Sequence, residues 1–164
     1  MTDVQDHYLQ QYLLDEQATL ELGQHLAKAL TAPIVVYLSG DLGAGKTTLS
    51  RGLLRGLGHQ GSVKSPTYTI VEPYELQPLP VYHFDLYRLG DPTELEYLGL
   101  RDYLNQGALL IFEWPERGGE HIPDADLVVH LAPTETGRLV QISARSDRGA
   151  IAMQDLRDSL QPLS

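Results

Sequence analysis

The sequence contains no cysteine. That excludes a disulfide framework, a thiolate zinc site and a cysteine nucleophile together, and it is a usage that a reducing cytosol tolerates without cost. Basic residues are scarce: 12 Lys and Arg stand against 22 Asp and Glu, for a formal net charge of −10. Such a chain repels phosphate backbones and anionic lipid, which argues against unaided binding of nucleic acid. No apolar run approaches the roughly 18 residues of a membrane-spanning helix, and Asp3, Asp6 and His7 interrupt any signal-like stretch after Met1. A soluble, cytoplasmic protein is expected. The histidines show neither H-x-x-x-H nor H-E-x-x-H spacing, so a histidine metal site is not expected, and His25 and His130 read as structural. Internal repeats, low-complexity tracts and linkers are lacking too. The 164 residues are read as a single domain, 1–164, large enough for its own core.

What is present falls into alternating apolar segments. Ala18, Leu22, Leu26, Ala29 and Leu30 recur at helical spacing behind a capping Asp15 and a dipole-favoured Glu16, predicting a first helix over 15–30. Ile34 to Leu38 is a short β-branched run after Pro33, suited to a strand buried on both faces. A glycine-rich loop follows, then a helix from about Lys46 to Leu57 that stops at Gly58. Tyr68 to Tyr74 and Val81 to Leu86 alternate like neighbouring strands, and Asp91-Pro92 opens a helix running to about Tyr103. A second continuous apolar run, Ala108 to Phe112, ends in Glu113. Residues 126–131 and 138–143 form a late strand pair around the Thr134-to-Gly137 turn, and 150–160 reads as a closing helix.

Gly40-Asp41-Leu42-Gly43-Ala44-Gly45-Lys46-Thr47 matches G-x-x-x-x-G-K-[ST] after a buried strand and before a helix, where a phosphate-binding loop must sit. Its glycines let the backbone wrap an anion, and exposed N–H groups with the helix N-terminus hold the α- and β-phosphates. Lys46 reaches the β- and γ-phosphates, Thr47 offers its hydroxyl to Mg²⁺, and Thr48 is placed for the α-phosphate. The alternative is a glycine-rich turn with a solvated lysine. Glu113 ends the second buried strand, where such proteins place an acid that holds magnesium or its water; the competing reading is a solvent-facing carboxylate. Trp114 either stacks beside the site or caps the core.

In His83-Phe84-Asp85-Leu86-Tyr87 a period of two sets His83, Asp85 and Tyr87 on one face and Phe84 with Leu86 on the other. A carboxylate entering an apolar strand needs a partner: metal-bound or attacking water, or an ion pair with Arg88 or a lysine. Ser65-Pro66-Thr67-Tyr68-Thr69 is either a γ-phosphate-sensing loop, with Thr67 or Thr69 as sensor, or an ordinary turn. No N-K-x-D guanine-reading element appears. Arg51, Arg55, Arg88 and Arg117 are candidate arginine fingers and equally candidate surface ion pairs.

The Gly40-to-Thr48 block, the run Val63 to Thr69, His83 to Leu89 and Glu113-Trp114-Pro115-Glu116 together resemble the TsaE (YjeE) family over roughly residues 14–145. The resemblance implies a small P-loop ATPase acting with TsaB and TsaD in threonylcarbamoyladenosine modification of tRNAs that read codons beginning with A. It implies ATP and Mg²⁺ as cofactors, with Lys46 and Thr47 on phosphate and metal, Glu113 as second magnesium residue, and Asp85 and Trp114 needed for turnover. It further implies that Asp15-Glu16 lies near the adenine and that the Gly137-Arg138 turn closes over the base. The expected fold is α/β, a P-loop nucleoside triphosphate hydrolase-like three-layer sandwich with a mixed, partly parallel sheet. A chain of this charge is expected to meet tRNA only through its protein partners. Two rival functions are a nucleotide-gated partner-binding module with incidental hydrolysis, and a small-molecule kinase, for which no arginine-bearing lid is evident.

Overall fold

The structure, a computed structural model, describes residues 7–41, 43, 45–63, 70–76 and 79–160. Its strands are β1 (Tyr8–Leu13), β2 (Ile34–Ser39), β3 (Val71–Tyr74), β4 (Val81–Asp85), β5 (Leu109–Glu113), β6 (Leu127–Pro133) and β7 (Arg138–Ala144). The helices are α1 (Glu16–Ala29), α2 (Lys46–Gly56), α3 (Leu100–Asn105) and α4 (Asp147–Leu160). One sheet runs in the order β1-β7-β6-β2-β5-β4-β3. The central strands β6, β2, β5 and β4 are mutually parallel, whereas β3 and the β7-β1 pair are antiparallel, so the sheet is mixed as expected.

The two unbroken apolar runs, β2 and β5, take the middle of this parallel segment because both of their faces are covered. Ile34, Val36, Leu109 and Ile111 point into a core closed by α1, α2 and α4. Val35, Leu110 and Phe112 point the other way, into a second core closed by Leu86, Leu89, Leu95, Leu100 and Ile122. There Phe84 and Phe112 stack with ring centroids 4.7 Å apart, worth about 0.5–1.5 kcal/mol beyond the area they bury. The layer on this second face is thin, made of 3₁₀ turns and the short α3.

Helices α1 and α2 cross with their backbones nearly touching. A Cβ on Gly52 would stand 2.2 Å from the Leu20 carbonyl oxygen, and one on Gly23 would stand 2.5 Å from that of Leu49. This crossing fixes the start of α2, and with it the glycine loop, against the start of α1. There Asp15 caps the helix as expected, accepting the Ala18 N–H at 2.8 Å.

Three elements differ from their sequence expectations. The helix expected over 91–103 is a 3₁₀ segment, Pro92–Leu98, followed by α3, because Gly99 adopts φ 68° and interrupts the helical path. Strand β3 begins at Val71, and the expected residues 68–69 lie outside the described ones. Strand β1 had no counterpart in the reading of the sequence. It is an edge strand with only Leu13 buried, held by its ladder to β7. Among the described residues no helix is long and apolar enough to cross a membrane.

Candidate functional site

Parallel register brings the chemistry together. Glu113 at the end of β5 lies opposite Leu38 of β2 on one side and Asp85 of β4 on the other. Both carboxylates therefore leave the sheet at the edge from which the glycine loop springs, the carboxyl end where α/β sheets hold their ligands. Gly45, at φ 104°, turns the chain into α2 so that Lys46, Thr47 and Thr48 form its first turn. A cleft of about 690 Å³ opens there. Gly43, Gly45, Lys46, Thr47, Thr48 and Trp114 line it, and its buried floor holds Asp85 and Glu113. Asp15, Glu16 and Thr19 at the start of α1 and the Thr134-to-Arg138 turn line the cleft as well, with Thr19 and Arg138 close beside Gly45, so Glu16 and Gly137 border the same space as the loop. Asp41 lines an adjoining recess of about 130 Å³ that shares Lys46 and Trp114 with the cleft and also holds Ser39 and His130. Leu42, Ala44 and the Ser65-to-Thr69 segment lie outside the described residues.

The floor is a buried charge cluster. Lys46 is 6% exposed, Glu113 4% and Asp85 8%. The solvent-facing alternative for Glu113 and the solvated-lysine alternative for Lys46 are thereby overturned. Lys46 Nζ stands 3.7 Å from Glu113 Oε1 and 4.5 Å from the Trp114 ring centroid. Glu113 Oε2 lies 2.6 Å from His83 Nε2. Burial raises the Asp85 pKa above the ordinary carboxylate value; the Tyr87 N–H at 3.0 Å opposes that rise, and the neighbouring Glu113 charge adds to it. His83 and Lys46 oppose it more weakly.

Trp114 serves both of its sequence alternatives. Its indole packs against the second core and also lies beside Lys46 and Tyr87 in the cleft. The backbone that aims it has φ 57°, a left-handed conformation costing a non-glycine residue about 1–3 kcal/mol. Such a conformation persists only where the surrounding structure over-determines it.

Among the candidate arginines, Arg51 pairs at 3.6 Å with Glu16, which is exposed. Arg117 lies over the Tyr87 ring and Arg88 lines the cleft. Two residues carry more of the site than their sequence signals suggested. Arg138 lies beside Gly45 and donates to the Gly43 carbonyl at 3.2 Å. His83 grips Glu113, and the period of two in β4 had already set it on the face of Asp85. His25 and His130 hydrogen-bond Ser159 and Ser39, in keeping with structural roles.

The donors around the cleft suit a magnesium nucleotide. Thr47, Asp85 and Glu113 offer hard oxygens, and no group of three His, Cys, Asp or Glu able to cage a metal occurs among the described residues. Mg²⁺ prefers that arrangement, with one or two carboxylates, several waters and the remaining ligands from phosphate.

The family model described as "Threonylcarbamoyl adenosine biosynthesis protein TsaE" matches residues 13–140. A Haemophilus influenzae protein named tRNA threonylcarbamoyladenosine biosynthesis protein TsaE is 48% identical over 146 residues, spanning 86% of this chain and 92% of its own length. A Bacillus subtilis protein of the same name is 43% identical over 95 residues, 58% of this chain and 59% of its own. The crystal structure of B. subtilis YdiB superposes with a TM-score of 0.79 at 27% identity, covering 92% of this chain and 95% of that one.

Proposed function

The chain belongs to the TsaE family, and on that premise we propose that it is the ATP-binding and ATP-hydrolysing subunit of tRNA threonylcarbamoyladenosine biosynthesis, dependent on Mg²⁺ and working with TsaB and TsaD. The observation that carries this reading is the convergence of Lys46, Asp85 and Glu113 in one buried cluster beneath a strand–loop–helix phosphate cradle. A solvated turn has no need to bury a lysine against two carboxylates.

Backbone N–H groups at the start of α2 and the Lys46 ammonium would hold and neutralise the phosphates. Lys46 leaves Glu113 to do so, and that frees the carboxylate to act with Thr47 in holding Mg²⁺. The ion, when bound, supplies charge neutralisation on the phosphate oxygens. Asp85, whose pKa burial raises above the ordinary carboxylate value, is suited to orient a water and take its proton. Glu16 and Gly137, which line the same cleft, would border the base and ribose. The net charge of −10 supports contact with tRNA only through partner proteins in the cytoplasm.

Hydrolysis of ATP by the purified chain, alone and with TsaB and TsaD, tests the proposal, with Asp85→Ala as control. Partner-stimulated turnover that the variant loses is the expected result. Measurable ATP binding with equal, negligible hydrolysis in both mixtures would instead make the chain a nucleotide-gated docking module.

A further inference from the structure

His83 has no part in the chemistry so far, yet it is among the most buried polar residues, 1% exposed in the middle of β4. Burying an imidazole costs free energy unless its nitrogens find partners. One does: Nε2 lies 2.6 Å from Glu113 Oε2, and because a carboxylate only accepts, Nε2 carries the hydrogen and donates it. The other, Nδ1, is buried with no hydrogen-bond partner among the described residues. A residue kept only for packing would be cheaper as an aliphatic side chain at this position, where Val81 precedes it on the same face. The orphaned Nδ1 is tolerated because Nε2 performs a task.

The parallel register identifies that task. His83 pairs with Ile111 and Asp85 with Glu113, so His83 and Glu113 are diagonal neighbours on one face of adjacent strands. The imidazole occupies Oε2 from within the sheet and leaves Oε1 as the oxygen turned towards Lys46 and the cleft. Without the imidazole, Glu113 could rotate about its terminal torsion and present either oxygen, or neither.

We propose that His83 is a positioning residue that fixes the Glu113 carboxylate, so that a single defined oxygen, Oε1, is offered to magnesium nucleotide. This inference rests on the proposed ATP and Mg²⁺ reading and adds to it the residue that sets the geometry of the acid. Groups that orient a metal-binding carboxylate typically change metal affinity about 10–100-fold when lost.

The test compares His83→Gln, whose amide nitrogen can stand where Nε2 stands, with His83→Asn, which is one methylene too short to reach Glu113, and with His83→Leu, which keeps bulk alone. Calorimetric titration with ATP, in excess Mg²⁺ and again in EDTA, gives the gain in affinity that Mg²⁺ confers. The expected result is that His83→Asn and His83→Leu, each measured against its own affinity in EDTA, lose about 10–100-fold of the Mg²⁺-dependent gain, while His83→Gln retains most of it. Circular dichroism melts show which variants are folded; should the leucine variant fail to fold, the Gln and Asn pair decides alone. Retention of the parental gain by folded His83→Asn, or equal losses in His83→Gln and His83→Asn, would overturn the positioning role and leave the ATPase reading standing. A parent chain that gains nothing from Mg²⁺ would overturn both.

Discussion

Lys46 Nζ faces Glu113 Oε1 at 3.7 Å inside the protein, so the cation suited to a phosphate and the acid suited to magnesium are each other's partners in this structure. A nucleotide must compete with Glu113 for Lys46, and the Glu113 charge repels the incoming phosphates from close range. Glu113→Gln removes both obstacles. ATP affinity measured in EDTA should rise, by up to about ten-fold, the equivalent of roughly 1.4 kcal/mol. The same variant should gain little from Mg²⁺ and hydrolyse ATP poorly, because the hard anionic donor is gone. Titration calorimetry with and without EDTA separates the two effects, and weaker binding in EDTA would contradict the competition.

The Lys46 ammonium also lies over the only tryptophan of the chain. A cation at the face of an indole alters its emission, and phosphate binding should draw that cation away. Tryptophan fluorescence of the parent is therefore expected to change on addition of ATP, with Trp114→Phe as the silent control. Lys46→Ala should weaken ATP binding by at least about ten-fold and abolish hydrolysis, since the loss of a phosphate-contacting cation affects ground state and transition state together. Parental affinity and turnover in Lys46→Ala would remove the basis for a phosphate-binding loop.

Asp85 ties stability to pH with an unusual sign. Its folded pKa is raised, first by burial and then by Glu113, so between the ordinary carboxylate value and the raised one the folded chain holds a proton that the unfolded chain has released. More protons bound in the folded state means that stability falls as pH rises through this window, and above it the penalty stays constant. Asp85→Asn keeps an oxygen for the Tyr87 N–H but abolishes the titration. Thermal melts across pH should show this variant more stable than the parent at neutral pH, with a shallower decline from acid to neutral. Its hydrolysis should fall by about 10²–10⁴-fold, the usual contribution of a positioned base. A variant less stable than the parent at pH 7 would mean that the ionised Asp85 is stabilising.

The parts of the fold that could be read in the sequence are those whose signal is local. The β2 and β5 runs, the Asp15 cap and the start of α2 at Lys46 each announce themselves within a few residues, and each lies where expected. Strand β1 does not: Tyr8-Leu9-Gln10-Gln11-Tyr12-Leu13 buries only its last residue, and its pairing partners stand more than a hundred positions away in β7. The site divides the same way. Lys46 and Thr47 belong to one contiguous motif, and the strand-end position of Glu113 was readable from the apolar run before it. His83 shared a face with Asp85 in the sequence, but its partner is Glu113, and only the β4–β5 register brings them together. Arg138 was legible as a residue of a turn, whereas its bond to the Gly43 carbonyl depends on how two distant loops meet.

Gly137 shows why a residue on a binding wall need not be there for the ligand. It lines the cleft, yet a Cβ at this position would stand 2.3 Å from the Leu13 carbonyl oxygen and 2.8 Å from the Tyr12 hydroxyl. The contact is with the end of β1, whose last register pair joins Leu13 to Arg138. Gly137→Ala must therefore push apart β1 and the Thr134-to-Arg138 turn, an overpacking cost of about 1–3 kcal/mol. At this chain length each kcal/mol moves Tm by roughly 2–4 °C, so the loss should be visible in a melt without nucleotide. Tyr12→Phe should not rescue it, because the closer clash is with backbone. ATP affinity should fall as well, since Arg138 and the outer wall move with the turn. If Gly137 served only to make room for a base, Gly137→Ala would lose affinity with its Tm unchanged, and the melt separates the two roles.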